Sequence, residues 1–249
     1  MSEAPKHVTL ITGGSRGIGA ATALLCAQNG HAVCISYRDR EDKAEEVVAA
    51  IEKSGGRSIA VQADTALEAD VLRLFVAVDE RLGPVTGLVN NAGIHGPRIR
   101  VDALETPDVE RVLAVNVTAL FQCSREAIRR MSTRHGGQGG AIVNVSSGSA
   151  WLGQPGVGVL YAASKGAVNS LTIGLSQEVA GEGIRVNAVA PGLTVTDMPP
   201  VENLDRDGPN LPIGRAAQPE EIAEAIYWLL TDKASYVAGA NLRVGGGRI

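Results

Sequence analysis

The sequence predicts an α/β fold, a single doubly wound domain in which helices cover both faces of a seven-stranded parallel sheet. Three observations carry that prediction. Seven short runs rich in Val and Ile, at residues 8–12, 32–37, 58–62, 85–89, 141–145, 185–190 and 241–244, are continuously apolar rather than alternating, as strands buried on both faces are. Amphipathic segments of helical period lie between them, so strand and helix alternate along the chain. The 249 residues, 45% of them apolar, suffice for one large core, and no linker-like stretch divides them.

Taken in order, the first run leads straight into a glycine-rich turn, 12–19, and then a helical stretch over 20–28. After the second strand, Ala44, Val47, Val48 and Ile51 fall on one face of a helix spanning 41–53, and Gly55 marks its stop. The basic stretch from Arg125 to His135 reads as the solvated C-terminal end of a helix, where cations suit the dipole. A long helical stretch opens at Tyr161 and runs to about Val179, and Pro219 opens another over 220–230. Residues 194–218 fit neither period and hold Pro199, Pro200, Pro209 and Pro212 with Gly208 and Gly214. So long an irregular stretch inside a compact domain reads as a mobile substrate lid.

Composition excludes several functions. A net charge of −4 with no long basic block argues against a nucleic-acid binder. No apolar run approaches the roughly 18 residues of a membrane span, and the first ten residues lack the order of a signal peptide. Cys26, Cys34 and Cys123 form no CxxC pair and leave no even set for disulfides, which suits a reducing compartment, so a cytoplasmic protein is expected. His7, His31, His95 and His135 show neither metal-ligand nor triad spacing; no metal is expected, and only His95 falls near a pocket mouth.

Two motifs carry chemistry. Gly13, Gly17 and Gly19 let the backbone between first strand and first helix turn tightly and approach a pyrophosphate at the helix N-terminus, as in a Rossmann-type dinucleotide site. Their spacing departs from G-x-G-x-x-G. Tyr161 and Lys165 stand four apart and share a helix face. An ammonium near a phenol favours the phenolate and draws the tyrosine's proton affinity toward useful acid–base work. Ser147, at the carboxyl end of the fifth strand, is where such sheets present ligand-binding groups.

These residues resemble the short-chain dehydrogenases/reductases, and the resemblance covers the whole chain. It rests on TGGSRGIG at 12–19, Asp64 after the third strand, NNAG at 90–93, Asn116 within a helix, VSS at 145–147, YAASK at 161–165 and PG at 191–192. The chain is most similar to bacterial 3-oxoacyl-carrier-protein reductases and glucose-dehydrogenase-like members. The resemblance implies that Tyr161 protonates a substrate carbonyl and that Ser147, chosen over Ser146 and Ser149 by its strand-end position, polarises it. Lys165 would bind the nicotinamide ribose and lower the Tyr161 pKa, and Asn116 would hold a water linking Lys165 to solvent. The dinucleotide would be lined by Gly13, Ser15, Arg16, Gly17, Ile18, Gly19, Tyr37, Arg38 and Thr65. Asp64 would face the adenine, Asn90, Ala92 and Gly93 the ribose and nicotinamide side, and Pro191, Gly192, Thr194 and Thr196 the carboxamide and pyrophosphate. It further implies a homotetramer, for which the residues add the apolar tail 237–249 and the helix face of 168–179.

NAD-binding members carry an acid at the place of Tyr37. Here Arg38 follows it and Arg16 lies in the glycine turn, so two guanidiniums converge on the expected 2′-phosphate and NADP(H) is the expected cofactor. Asp39, two positions past the place of Tyr37, is read as a cap for the helix beginning near Glu41, and a shift of two residues would instead make it an NAD signal. Residues 197–211 carry four carboxylates against Arg206, a local balance of −3. With Glu182 near a position that is often basic in carrier-protein reductases, this lid is expected to repel acidic partners and to favour a free small ketone, sugar or secondary alcohol over a carrier-bound acyl group. Substrate choice is expected to rest on Trp151, Gln154, the loop 94–98 and the lid. The rival readings are a 3-oxoacyl-carrier-protein reductase, a nucleotide-binding regulator without turnover, and a structural scaffold.

Overall fold

The computed structural model describes residues 7–248, which leaves Ile249 of the expected apolar tail and the start of the N-terminal segment outside the described residues. Seven strands form one sheet in the order β3-β2-β1-β4-β5-β6-β7, and every neighbouring pair is parallel. They are β1 (Val8–Ile11), β2 (Ala32–Tyr37), β3 (Ser58–Gln62), β4 (Gly87–Asn90), β5 (Gly140–Val145), β6 (Ile184–Pro191) and β7 (Asn241–Val244). The expected strand at 85–89 is shifted: Val85 precedes the ladder and Asn90 closes it. The continuous apolar runs have a simple cause, since successive strand residues point to opposite faces and both faces are covered. Leu10, Leu88, Ile142 and Val186 meet α3 (Glu68–Arg81) and α5 (Ala119–Met131) on one side. Ile11, Val89, Val143 and Val189 meet α1 (Gly17–Gln28), α2 (Glu41–Lys53) and α9 (Pro219–Leu230) on the other.

Strand order reverses between β1 and β4, which opens a crevice at the carboxyl ends of those strands. Five further features shape it. Helix α4 (Thr106–Leu113) runs into α5 through a π-helical stretch, Ala114–Thr118, which holds Asn116. Short α6 (Ser149–Leu152) and long α7 (Val159–Val179) follow β5. The segment 194–218 is not irregular throughout, as its composition suggests: it contains α8 (Val201–Asp207) and a 3-10 turn, Gly208–Asn210. That helix is two turns long and buries none of its residues, so it has no apolar stripe by which a period could be recognised. No described helix is long and apolar enough to cross a membrane.

Candidate active site

Gly13 and Gly17 adopt φ of +63° and +53°, a region that side chains disfavour. A Cβ on Gly19 would stand 2.5 Å from the Gly13 carbonyl oxygen. The turn therefore exposes its backbone, and close packing of helix on strand is the role of Gly19, which does not line the cleft. The backbone of Gly14 is tied to β2 by donation to the Ser36 carbonyl at 2.9 Å. Asn91, whose role no local spacing reports, braces the turn by donating from Nδ2 to the Thr12 and Gly13 carbonyls at 2.9 Å each. Asn90, expected to line the cofactor, instead turns into the core. Its Nδ2 donates to Asn144 Oδ1 at 2.9 Å and to Ser124 Oγ at 3.3 Å, and it locks β4 to β5. One residue's difference at a strand end moves a side chain to the opposite face.

The turn, the ends of β2 to β6 and segment 194–218 enclose a cleft of about 930 Å³. Ser15, Arg16, Gly17, Ile18, Tyr37, Arg38, Asp64, Thr65, Ala92, Gly93, Pro191, Gly192, Thr194 and Thr196 line it, as do Ser147, Tyr161 and Lys165. Arg16 pairs with Asp197 of the expected lid at 3.0 Å. The hydroxyl of Tyr37 donates to Glu41 at 3.1 Å. Arg38 donates through Nε to Asp39 Oδ2 at 2.6 Å. Asp39 therefore does not cap α2, whose N-cap, Arg40, makes no side-chain cap bond. Asp64 accepts from the Ala66 backbone at 3.0 Å and from Arg111 at 2.9 Å, so the carboxylate expected at the adenine is held by an arginine that its sequence position did not single out.

At the other end, Tyr161 and Lys165 project from the first turns of α7 and are 7% and 3% exposed. Lys165 Nζ donates to the Val145 carbonyl at 2.8 Å and lies 5.8 Å from the centre of the Tyr161 ring. Burial pushes Lys165 down to about 8. The expectation that Lys165 lowers Tyr161 is not met: burial raises the phenol, and the Ser147 hydroxyl and the Arg98 charge pull it back. The net effect keeps the phenol protonated at neutral pH, the form a proton donor needs. Asn116 bonds through both ends of its amide to the Ile94 backbone, at 2.9 and 2.8 Å, and to Ser164 at 3.0 Å. A Cβ on Gly93 would stand 3.4 Å from both Asn116 Oδ1 and Lys165 Nζ, so this glycine keeps open the space between them.

Ser146 Oγ is bound to Asn169 and the Lys165 carbonyl, which leaves Ser147 as the strand-end hydroxyl not tied to α7. A chain of polar groups leads away from it. Ser147 Oγ accepts from the Ser149 backbone at 3.1 Å and lies 3.1 Å from Ser149 Oγ. Gln154 Nε2 donates to Ser149 Oγ at 2.6 Å, and Gln154 Oε1 is 3.2 Å from His95 Nε2. The His95 ring stacks on Tyr161 with centroids 4.8 Å apart. An amide fixes direction, because its nitrogen only donates and its oxygen only accepts. Ser149 Oγ has two acceptor positions and takes both the Gln154 amide and the Ser147 hydroxyl, so Ser147 serves a ligand by turning its proton away from Ser149. Gln154 holds φ of +46° to do this, the one non-glycine residue with positive φ among the described residues.

Of the four lid carboxylates, Asp197 is taken by Arg16 and Asp207 by Arg206, and Glu202 and Asp205, which have no salt bridge among the described residues, do not line the cleft. Glu182 is held by Arg134 and Ser132. Trp151 is 43% exposed and carries the Arg243 guanidinium 4.0 Å from its ring centre. No group of three or more His, Cys, Asp or Glu that could hold a metal occurs among the described residues.

Residues 13–248 match the family model described as enoyl-(acyl carrier protein) reductase. The uncharacterised oxidoreductase YgfF of Escherichia coli K12 is 49% identical over 245 residues, 97% of this chain and 99% of that one. The cis-4-hydroxycyclohexanecarboxylate dehydrogenase of Sinomonas cyclohexanicum is 40% identical over 247 residues, 97% and 96% of the two chains. A short chain dehydrogenase of Burkholderia cenocepacia, solved in complex with NADP, superposes with a TM-score of 0.90 at 37% identity and 97% coverage of both chains. This chain belongs to the short-chain dehydrogenase/reductase family, whose members are oxidoreductases that use nicotinamide cofactors.

Proposed function

We propose that the chain is an NADP(H)-dependent carbonyl reductase or alcohol dehydrogenase acting on a free small ketone, sugar or secondary alcohol. The observation that carries this is the meeting of Ser147, Tyr161 and Lys165 in the cleft that the glycine turn opens. The turn fits a dinucleotide because its glycines leave bare backbone where side chains would intrude. Bound there, the cofactor supplies or accepts a hydride. Arg16 and Arg38 would hold a 2′-phosphate, and Lys165 the nicotinamide ribose hydroxyls. In reduction Ser147 donates a hydrogen bond to the substrate carbonyl, Tyr161 gives its proton to the same oxygen, and Asn116 would support its return from solvent through Lys165.

Residues 194–218 would close over the substrate as a lid, within one catalytic domain, and a cytoplasmic setting suits the free thiols. A homotetramer is supported by Phe121 on α5 and Ile173 on α7, which are 59% and 50% exposed; sedimentation as a monomer at micromolar concentration would exclude it. The deciding experiment is NADPH oxidation over a panel of carbonyl compounds. Turnover of a free ketone, lost in Tyr161→Phe, is expected. Faster reduction of acetoacetyl-carrier protein than of any free ketone would favour the carrier-protein reading, and NADPH binding with no turnover at all would favour a regulator.

A further inference from the structure

Resting on that reading, we infer that the substrate carries an anionic group, held by Arg98 with Arg243 and Arg248, the cleft-lining arginines that no carboxylate of the cleft pairs with. Nine cationic side chains and four carboxylates line the cleft of a chain whose net charge is −4. Each of the four carboxylates is already taken by an arginine: Asp197 by Arg16, Asp39 by Arg38, Asp64 by Arg111 and Asp207 by Arg206. Arg40 is held by Asp42, just outside. Lys165 serves the reacting end. Three guanidiniums remain, Arg98, Arg243 and Arg248, and none forms a salt bridge among the described residues.

The phosphates of a dinucleotide do not account for them. Those phosphates would be served by the glycine turn with Thr196, and by Arg16 and Arg38. Arg98 instead follows the loop whose His95 stacks on Tyr161, and it reaches across the cleft to donate to the Met198 carbonyl at 3.3 Å. Arg243 comes from β7 and stands 4.0 Å from the centre of the Trp151 ring, and Arg248 follows the glycines after that strand. Like charges sharing a walled cleft focus a positive potential there. A neutral ketone leaves that potential uncompensated, whereas a carboxylate or phosphate accepts paired guanidinium hydrogen bonds. Leu152, Val157 and Met198 line the same cleft, which suits an apolar carbon skeleton between the carbonyl and the anion.

The test compares kcat/KM for 4-oxopentanoate and 6-oxoheptanoate with that for their methyl esters. The acid is expected to be favoured about tenfold or more at one chain length, the scale of a charge-assisted hydrogen bond, mainly through KM. In Arg98→Gln and in Arg98→Gln/Arg248→Gln the acid-to-ester ratio is expected to collapse toward one, and in the wild type to fall with added salt. Thermal shift in the presence of NADP+ reads the same site without turnover: the acid raises Tm, the ester does not, and Arg98→Gln abolishes the difference. A site that discriminates by Tm while no ketone is reduced would defeat the proposed function and leave the subsite standing. Acetoacetyl-coenzyme A against the N-acetylcysteamine thioester separates the two sources of anion. An Arg98-dependent preference confined to the coenzyme A thioester would assign the subsite to a carrier-arm phosphate. Equal treatment of acid and ester, and of the two thioesters, in both assays would overturn the inference.

Discussion

Replacing Arg38 by Asp tests the cofactor reading at its most exposed point. The Arg38 side chain is 52% exposed and its guanidinium is bound to Asp39, with Nη2 to Oδ2 at 2.5 Å. Losing a charge-assisted bond to a 2′-phosphate costs about 1.5–3 kcal/mol in a well-formed site. Two features reduce that here. Solvent and salt screen a half-exposed pair, and Arg38 must loosen from Asp39 before it serves a phosphate. The substitution also sets a second carboxylate beside Asp39, which repels the phosphate. The net expectation is about 1–2 kcal/mol, or roughly 5–30-fold in the Kd of NADPH, with NADH affinity unchanged or improved. Asp39→Asn is expected to act in the opposite direction, because it frees Arg38. Fluorescence titration of both cofactors against the three proteins measures this. A change in NADPH affinity below about twofold, or a wild-type kcat/KM higher with NADH than with NADPH, would refute the assignment and make Asp39 the partner of the ribose.

Tyr161→Phe keeps the packed ring and removes the proton donor, so kcat is expected to fall by about 10²–10⁴ while NADPH binding persists; more than about a tenth of wild-type kcat would rule out the role. Gln154→Leu cuts the link between His95 and Ser149, and kcat is expected to fall about tenfold with NADPH affinity unaltered, in single-turnover assays that separate chemistry from binding. Lys165 titrates near 8 when folded against an ordinary 10.5, so between those values the unfolded chain binds more protons and stability rises with pH. Urea midpoints of wild type minus Lys165→Met across that window measure the slope, and a flat difference would show that the ammonium is fully compensated. At pH 7 the same variant, relieved of a buried charge, is expected to be inactive and to melt higher, by about 2–4 °C per kcal/mol recovered.

Much of the site was legible because its signals are local. A glycine turn needs only residues 12–19, the pairing of Tyr161 with Lys165 follows from helical pitch, and runs such as Val143 to Val145 declare a strand buried on both faces. Local periodicity failed where no face is buried, as in α8, and at strand ends, where Asn90 and Asn91 differ by one residue and by which side of the sheet they serve. It also misjudged Tyr161, since the spacing of two residues on a helix does not report how dry their surroundings are. By itself the sequence determined the fold class, the glycine turn and the three residues, Ser147, Tyr161 and Lys165, that meet in the cleft. Only the tertiary structure decided which charges remain free in the cleft. Arg16 meets Asp197 across 181 residues of chain and Asp64 meets Arg111 across 47, and pairings at such separations are set by the packing of loops on the sheet edge, which no local pattern encodes.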